Sequence, residues 1–325
     1  MTHAIRFHET GGPEVLRWET VEVGEPGAGE ARVRHTAVGL NFIDVYHRSG
    51  LYPVSELPSG IGLEAAGTVE AVGDGVGEVA PGNRVAYAFP PLGAYAEARV
   101  MPTHHLVKLP DGIDDRTAAA MMLQGLTAHY LLRRTYRVQP GDWILVQAAA
   151  GGVGLIACQW AKHLGAHVIG TVGNDEKAEL AKAHGCDHPI VYTREDFAKR
   201  VHEITGGEGV AAVYDSVGKD TFAGSLDSLR PLGTLVSFGN ASGPVAPFEP
   251  AMLAAKGSLF LTRPTLMDYT RRRDDLLKGT AELFDVVENG QVRIEVRQTY
   301  PLQEAAQAHR DLEARRTTGS TIMLP

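Results

Sequence analysis

Cysteine is nearly missing from this chain, with only Cys158 and Cys186 in 325 residues. Two cysteines cannot build a disulfide framework, and they cannot supply the four thiolates of a structural zinc lobe. Long apolar runs are missing too, since none reaches the roughly 18 residues of a membrane helix. The first residues, Met1 to Arg6, lack the basic-then-apolar order of an export signal. A reducing cytoplasm is therefore the expected compartment. Positive charge is in deficit, with 31 Lys and Arg against 39 Asp and Glu and a formal net charge of −8. That balance argues against nucleic acid or an anionic membrane surface as the main ligand. Arg271-Arg272-Arg273 is a basic run, but Asp274-Asp275 follow at once, so it reads as a solvated helix face.

What is present is an ordinary globular composition, 44% hydrophobic and 22% charged, on a chain long enough for two cores. Two textures follow one another. Up to about residue 124, strand-like runs such as 31–38, 65–72 and 84–88 are broken by Gly and Pro turns, which predicts an irregular, mostly-β domain. Beyond Gly125, short apolar runs at 143–148, 167–172, 188–192, 210–215, 233–238 and 258–262 alternate with helical stretches such as 175–184 and 195–204. Such alternation predicts βαβ units and an α/β fold with a doubly wound parallel sheet. From Arg263 the alternation ends. Helical runs at 275–289 and 302–314 and a strand-like 291–298 suggest a return to the first domain.

The chemistry-bearing turn is Ala148-Ala149-Ala150-Gly151-Gly152-Val153-Gly154, between the apolar strand 143–147 and a helical run from Leu155. Gly151 and Gly152 let backbone approach a pyrophosphate at a helix N-terminus, and Gly154 lets the helix lie close to the sheet. Ala149 replaces the first glycine of the usual pattern. A site for NAD places Asp or Glu at the end of the second strand to bind the ribose 2′-hydroxyl. Here that strand ends in Gly173-Asn174, with Lys177 one helical turn on and Tyr192 closing the third strand. These residues suit a 2′-phosphate, so NADPH is the expected cofactor. Asp175 is read as the N-cap of the following helix, the alternative being a hold on a 2′-hydroxyl.

Several blocks carry a resemblance: Gly11-Gly12-Pro13-Glu14-Val15-Leu16, Gly39-Leu40-Asn41-Phe42-Ile43-Asp44, Arg48-Ser49-Gly50-Leu51-Tyr52-Pro53 and the glycine turn. Tyr214-Asp215-Ser216-Val217-Gly218, Phe238-Gly239-Asn240, Thr262-Arg263-Pro264 and Thr318-Gly319-Ser320 continue it to the C-terminus. Together they resemble the quinone oxidoreductase (zeta-crystallin) branch of the medium-chain dehydrogenase/reductase superfamily. The resemblance implies a GroES-like catalytic domain over 1–124, a Rossmann-type domain over 125–262 and a return over 263–325, with the cofactor in the cleft between them and a homodimer as the assembly.

The resemblance places Asn41, Asp44 and Tyr46 at the nicotinamide end, with Tyr52 lining the acceptor pocket. Tyr46 or Tyr52 is the candidate hydrogen-bond or proton donor to a developing oxyanion. It adds Thr127, Tyr130, Arg263, Thr265 and Arg316 as cofactor contacts, a surface salt bridge being the alternative for Arg316. Ser216 and Val217 end the fourth strand and Phe238, Gly239 and Asn240 the fifth, where ligands meet such sheets, apolar filling being the alternative for Val217 and Phe238. Where zinc-bearing members carry Gly-His-Glu, this chain has Gly62-Leu63-Glu64, and Asn41 stands in the region of the first cysteine ligand. The histidines, His104-His105 included, lack ligand spacing, so no metal is expected. The implied activity is NADPH-dependent reduction of quinones. The alternatives are a zinc-free 2-alkenal or enone reductase on the same scaffold, and a crystallin-like or RNA-binding role.

Overall fold

The computed structural model describes residues 2–325. In chain order the first strands are β1 Thr2–Phe7, β2 Arg17–Val21, β3 Glu30–Leu40, β4 Ser59–Gly60, β5 Glu64–Val72, β6 Arg84–Ala88, β7 Ala98–Pro102 and β8 Val107–Lys108. There follow β9 Trp143–Val146, β10 His167–Val172, β11 His188–Val191, β12 Val210–Asp215, β13 Leu229–Ser237 and β14 Phe260–Thr262, then β15 Val296–Pro301 and β16 Ser320–Leu324. The helices are α1 Phe42–Ser49, α2 Asp115–Ala119, α3 Met122–Tyr130, α4 Gly152–His163, α5 Asp175–Ala183 and α6 Phe197–Ile204. The remainder are α7 Phe222–Asp227, α8 Ala251–Ala255, α9 Leu266–Tyr269, α10 Arg273–Glu288 and α11 Ala305–Glu313.

The chain forms two compact units. The first holds the residues up to Gln124 with 272–284 and 294–325, and the second holds 125–271 with 285–293. In the first, a sheet in the order β15-β16-β3-β5-β6-β8, with β7 also paired to β3, is joined by a smaller sheet β2-β1-β4. Along β3, Val33, His35 and Ala37 point inward while Arg34 and Thr36 face solvent, the two-residue alternation of a sheet with one wet face. The core joins Ile5, Phe7, Val38, Tyr87, Tyr95 and Met101 to Leu302, Ala308 and Met323 from the far end of the sequence.

The second unit is a six-stranded parallel sheet in the order β11-β10-β9-β12-β13-β14, the doubly wound arrangement whose ligands meet the carboxyl ends of the strands. Its central strand β12, Val-Ala-Ala-Val-Tyr-Asp, is buried at every position, as a strand covered on both faces must be.

Three expectations need correction. Residues 291–298 are not one strand: Val292 is buried while its segment packs with the second unit, where Gln159 bonds the Arg293 N–H and carbonyl, and β15 begins only at Val296. Residues 263–271 belong by contact to the second unit rather than to the return, because Tyr269 stacks on Tyr130 at 4.6 Å and bonds Thr135. The basic run is not wholly a solvated face either. Arg273 is partly buried and donates to the carbonyls of His104 and Leu106 at 2.6 and 2.7 Å.

Candidate functional site

Two sets of predicted residues are each brought together within one unit. In the first unit, Asn41 precedes α1, and its N–H donates to the Asp44 carboxylate at 2.9 Å, satisfying one of the amides left over at a helix start. The Asn41 amide also donates to Glu64 Oε2 at 2.6 Å and accepts from Gln124 at 3.1 Å, and Gln124 in turn accepts from Ser320 at 2.6 Å. Glu64 is fully buried at the head of β5, and its Oε1 accepts the Leu123 N–H at 2.8 Å. A Cβ on Gly39 would lie 2.3 Å from Glu64 Oε2 and 2.4 Å from the Ala119 carbonyl, so only glycine leaves room for this carboxyl.

Asp44 Oδ2 also accepts from the Tyr95 hydroxyl at 2.8 Å, while Oδ1 is buried without a partner. Behind Tyr95 stands His309, whose Nε2 lies 3.2 Å from the Tyr95 oxygen. Its Nδ1 lies 3.0 Å from the Arg48 guanidinium, which makes Nδ1 the acceptor and leaves the proton on Nε2. Arg48, almost wholly buried, completes the chain with two bonds to Glu313 at 2.8 and 2.9 Å. Burial pushes the Asp44 carboxyl up to about 7 and the Glu64 carboxyl up to about 8, against the pull of the N–H groups aimed at them. Burial likewise holds His309 neutral, lowering it to about 3 beside Arg48.

Tyr46, on the second turn of α1, is buried and meets Tyr52 edge to face at 5.1 Å. Tyr52 is half-buried, its N–H bonded to the Tyr46 carbonyl at 3.0 Å and its ring set edgewise against His47.

In the second unit the predicted residues gather at the carboxyl ends of the parallel strands. β9 stops at Val146, and Ala148 turns the chain at φ +55. The Ala149 N–H then bonds the Thr171 carbonyl at 2.9 Å, tying the turn to β10. α4 starts after the cap Gly151, whose lack of a side chain leaves the first-turn amides of Gly152, Val153 and Gly154 to an anion. A Cβ on Gly154 would come 2.4 Å from the Ala148 carbonyl, whereas one on Gly151 would have a single neighbour, at 3.2 Å. The residue types therefore fit a bound pyrophosphate.

At the end of β10 the cap of α5 is Asn174, whose side chain accepts the Lys177 N–H at 2.9 Å. The expectation that Asp175 caps is thus corrected: it occupies the first helical turn. Its carboxylate instead takes two bonds from Arg194, at 2.8 and 2.5 Å. Tyr192 is exposed, and its hydroxyl would stand 3.2 Å from a Cβ on Gly173.

Past β12, Asp215 holds the turn 216–221, accepting from the Val217 and Gly218 N–H groups and the Thr221 hydroxyl. Past β13, the Phe238 N–H bonds the Asp215 carbonyl at 2.7 Å, and Gly239 packs so close that a Cβ would meet the Ser216 carbonyl at 2.3 Å. Arg263 donates to the Ser237 carbonyl at 2.8 Å and, with the Asn240 amide turned to satisfy both its atoms, to Asn240 at 3.2 Å. Thr127 and Tyr130 are buried on α3, and Thr265 caps α9. Arg316 lies in the first unit, exposed and paired with Asp311 at 3.2 Å.

Residues that order the site but were not singled out from the sequence include Tyr95, Gln124, His309, Glu313 and Asp215. Asp215 had a signal, a lone carboxylate closing a wholly apolar strand. Glu64 opens a strand that carries a second carboxylate, Glu70, so it had no such signal.

A parallel sheet of this order with a glycine turn after its middle strand defines a dinucleotide-binding oxidoreductase. Residues 27–111 match the alcohol dehydrogenase GroES-like domain, and residues 152–278 match the family described as zinc-binding dehydrogenase. A quinone oxidoreductase of Pseudomonas aeruginosa is 56% identical over 325 residues, the whole of both chains. A 2-haloacrylate reductase of a Burkholderia species is 49% identical, covering 100% of this chain and 99% of its own. The crystal structure of Escherichia coli quinone oxidoreductase complexed with NADPH aligns with a TM-score of 0.98 at 48% identity over the whole of both chains. The chain belongs to the quinone oxidoreductase family of the medium-chain dehydrogenase/reductase superfamily. The donor set at Asn41, Leu63 and Glu64 does not fit the zinc named in the second family match: an amide and a carboxylate already bonded to each other, and an aliphatic side chain. Among the described residues no group of three or more His, Cys, Asp or Glu could hold a metal ion.

Proposed function

We propose that the protein catalyses NADPH-dependent reduction of quinones without a metal. The observation that carries the reading is the pair of tyrosine rings at α1, packed edge to face at 5.1 Å with Tyr52 half-buried. They offer a flat conjugated acceptor an aromatic wall and phenol donors for its oxygen. When bound, NADPH supplies the hydride, and the reduced quinone takes up one further proton. The amides at the start of α4 and the glycines 151, 152 and 154 hold the pyrophosphate. Gly173, Asn174, Lys177 and Tyr192 hold the 2′-phosphate end. The turns at 216–217 and 238–240, with Arg263 and Thr265 beyond them and Thr127 and Tyr130 on α3, line the rest of the cofactor. Asn41 and Asp44 order α1, so that Tyr46 and Tyr52 present their hydroxyls in a fixed place.

The quinone oxidoreductase relatives favour this acceptor class. The 2-haloacrylate reductase at 49% identity favours a second reading, in which the acceptor is a conjugated carboxylate, aldehyde or ketone reduced at carbon. Steady-state NADPH oxidation with 1,4-benzoquinone, 9,10-phenanthrenequinone, 2-chloroacrylate and a 2-alkenal separates the two. We expect the quinones to be turned over at least about tenfold more efficiently, a barrier difference of roughly 1.4 kcal/mol. Turnover of the haloacrylate or alkenal far above the quinones would replace the first reading with the second.

A cytoplasmic site of action accords with the two free, buried cysteines. No described helix is long and apolar enough to cross a membrane. A homodimer accords with the exposed Phe260 on the edge strand β14, an unpaired ladder beside an apolar ring.

A further inference from the structure

The carboxyl ends of β10 and β11 carry a pair that the functional reading does not use. Arg194 grips both oxygens of Asp175 through Nη1 and Nη2, at 2.8 and 2.5 Å, in the two-pronged geometry that guanidinium and carboxylate share. Both side chains are exposed, 57% for Arg194 and 73% for Asp175, so the pair itself adds little stability. Its location is what gives it meaning. Asp175 is the first residue of α5, next to the cap Asn174 and two positions from Gly173. A carboxylate at this end of the second strand is the group that selects NAD, by bonding the 2′-hydroxyl and repelling a phosphate in its place.

The loop that brings Arg194 here is pinned. The Thr193 hydroxyl donates to the Gly173 carbonyl at 3.1 Å, the Tyr192 N–H donates to the Val172 carbonyl at 3.1 Å, and the Arg194 N–H returns to Val191. Asp175 acts on the guanidinium more strongly than Glu195 does. Glu195 turns back to the Val191 N–H and pairs with Arg200, leaving Asp175 as the carboxylate bonded to Arg194.

We propose that Arg194 is a specificity-determining residue that makes this strand end accept a 2′-phosphate. By occupying both oxygens of Asp175 it removes the acceptor a 2′-hydroxyl would use. By cancelling that charge it lifts the repulsion of a phosphate. A guanidinium has five N–H bonds, of which Asp175 takes two. Lys177 supplies attraction, and Arg194 removes the opposing charge.

This rests on NADPH being the cofactor, and one set of titrations separates the two claims. Dissociation constants for NADPH and NADH are measured by nicotinamide fluorescence on the wild type, Arg194→Gln, Asp175→Asn and the double variant. The wild type is expected to prefer NADPH. Arg194→Gln is expected to weaken NADPH about tenfold, because the Asp175 charge is uncovered, while NADH is held or tightens, because the freed carboxylate can accept its 2′-hydroxyl. In the double variant, with no carboxylate left to neutralise, a large part of the NADPH affinity returns. The effect of Arg194→Gln shrinks as salt rises, because both side chains are exposed. A wild type that binds both cofactors alike overturns the NADPH reading and this inference together. A wild type that prefers NADPH, with an Arg194→Gln variant whose preference is unchanged or whose two affinities fall equally, overturns Arg194's part alone.

Discussion

Asp44 and Glu64 are fully buried carboxyls. Their burial disfavours the charged form, so the folded state keeps protons that an unfolded chain releases near pH 4. The native state then binds more protons than the unfolded one, and stability falls as pH rises from about 4 through the folded values of about 7 and about 8. The midpoint of thermal unfolding is expected to drop between pH 6 and 9. Asp44→Asn should reduce that drop, because an asparagine oxygen can keep the bonds from Asn41 and Tyr95 while its amide takes the position of the unpartnered Oδ1. The remainder belongs to Glu64. A wild-type midpoint that is flat or rising over this range, measured by calorimetry, would contradict the burial argument. At this scale the sequence was only partly legible. Asn41 and Asp44 lie three residues apart and read as one motif, whereas the Tyr95 and His309 that complete their network are 214 positions apart, and no local pattern joins them.

For elements, the glycine turn is the informative case, because two of its glycines look alike in sequence and differ in space. Alanine at 154 would press a methyl to 2.4 Å of the Ala148 carbonyl and force the start of α4 away from the sheet, while alanine at 151 meets one atom at 3.2 Å. Gly154→Ala is expected to cost roughly 2–4 kcal/mol of stability, as overpacked sites do, and to weaken NADPH more than about tenfold. Gly151→Ala should stay within about 1 kcal/mol in stability, its loss appearing mainly in NADPH affinity. Chemical denaturation with cofactor titration checks both; equal stabilities would show that the turn yields more than its geometry implies. Strand ends that abut ligand turns were readable: 167–172 and 210–215 coincide with β10 and β12, since an apolar run stopped by Gly or by Asp-Ser leaves little choice. The segment 291–298 misled because Val292 is apolar for packing against the second unit and not for pairing.

At the scale of the molecule, the first unit is assembled from three stretches of chain, and its sheet runs β15-β16-β3, so strands from the last 30 residues cover an edge laid down in the first 40. A chain ended at Gln124 keeps α1 and both tyrosines but loses the partner of Val38 to Leu40, the Glu313 that holds Arg48, and Leu302, Ala308 and Met323 from the core. It is expected to show no cooperative thermal transition by circular dichroism; a sharp transition would mean that the first 124 residues suffice. The change of texture near Gly125 made two domains legible and the end of the alternation at Arg263 pointed to a return, but the passage of 285–293 back to the second unit was not, because it depends on the bonds Gln159 makes to Arg293 and not on any periodicity.

The same topology sets an order of events during synthesis. The six strands of the second unit have all been synthesised by Thr262, whereas Glu313 and β16 come last. A nascent chain therefore forms its nucleotide-binding sheet well before α1 acquires the Arg48 anchor behind its tyrosines. A protein cut short near its end is expected to keep its six-stranded sheet while α1, which carries the proposed acceptor wall, lacks the Glu313 that holds Arg48.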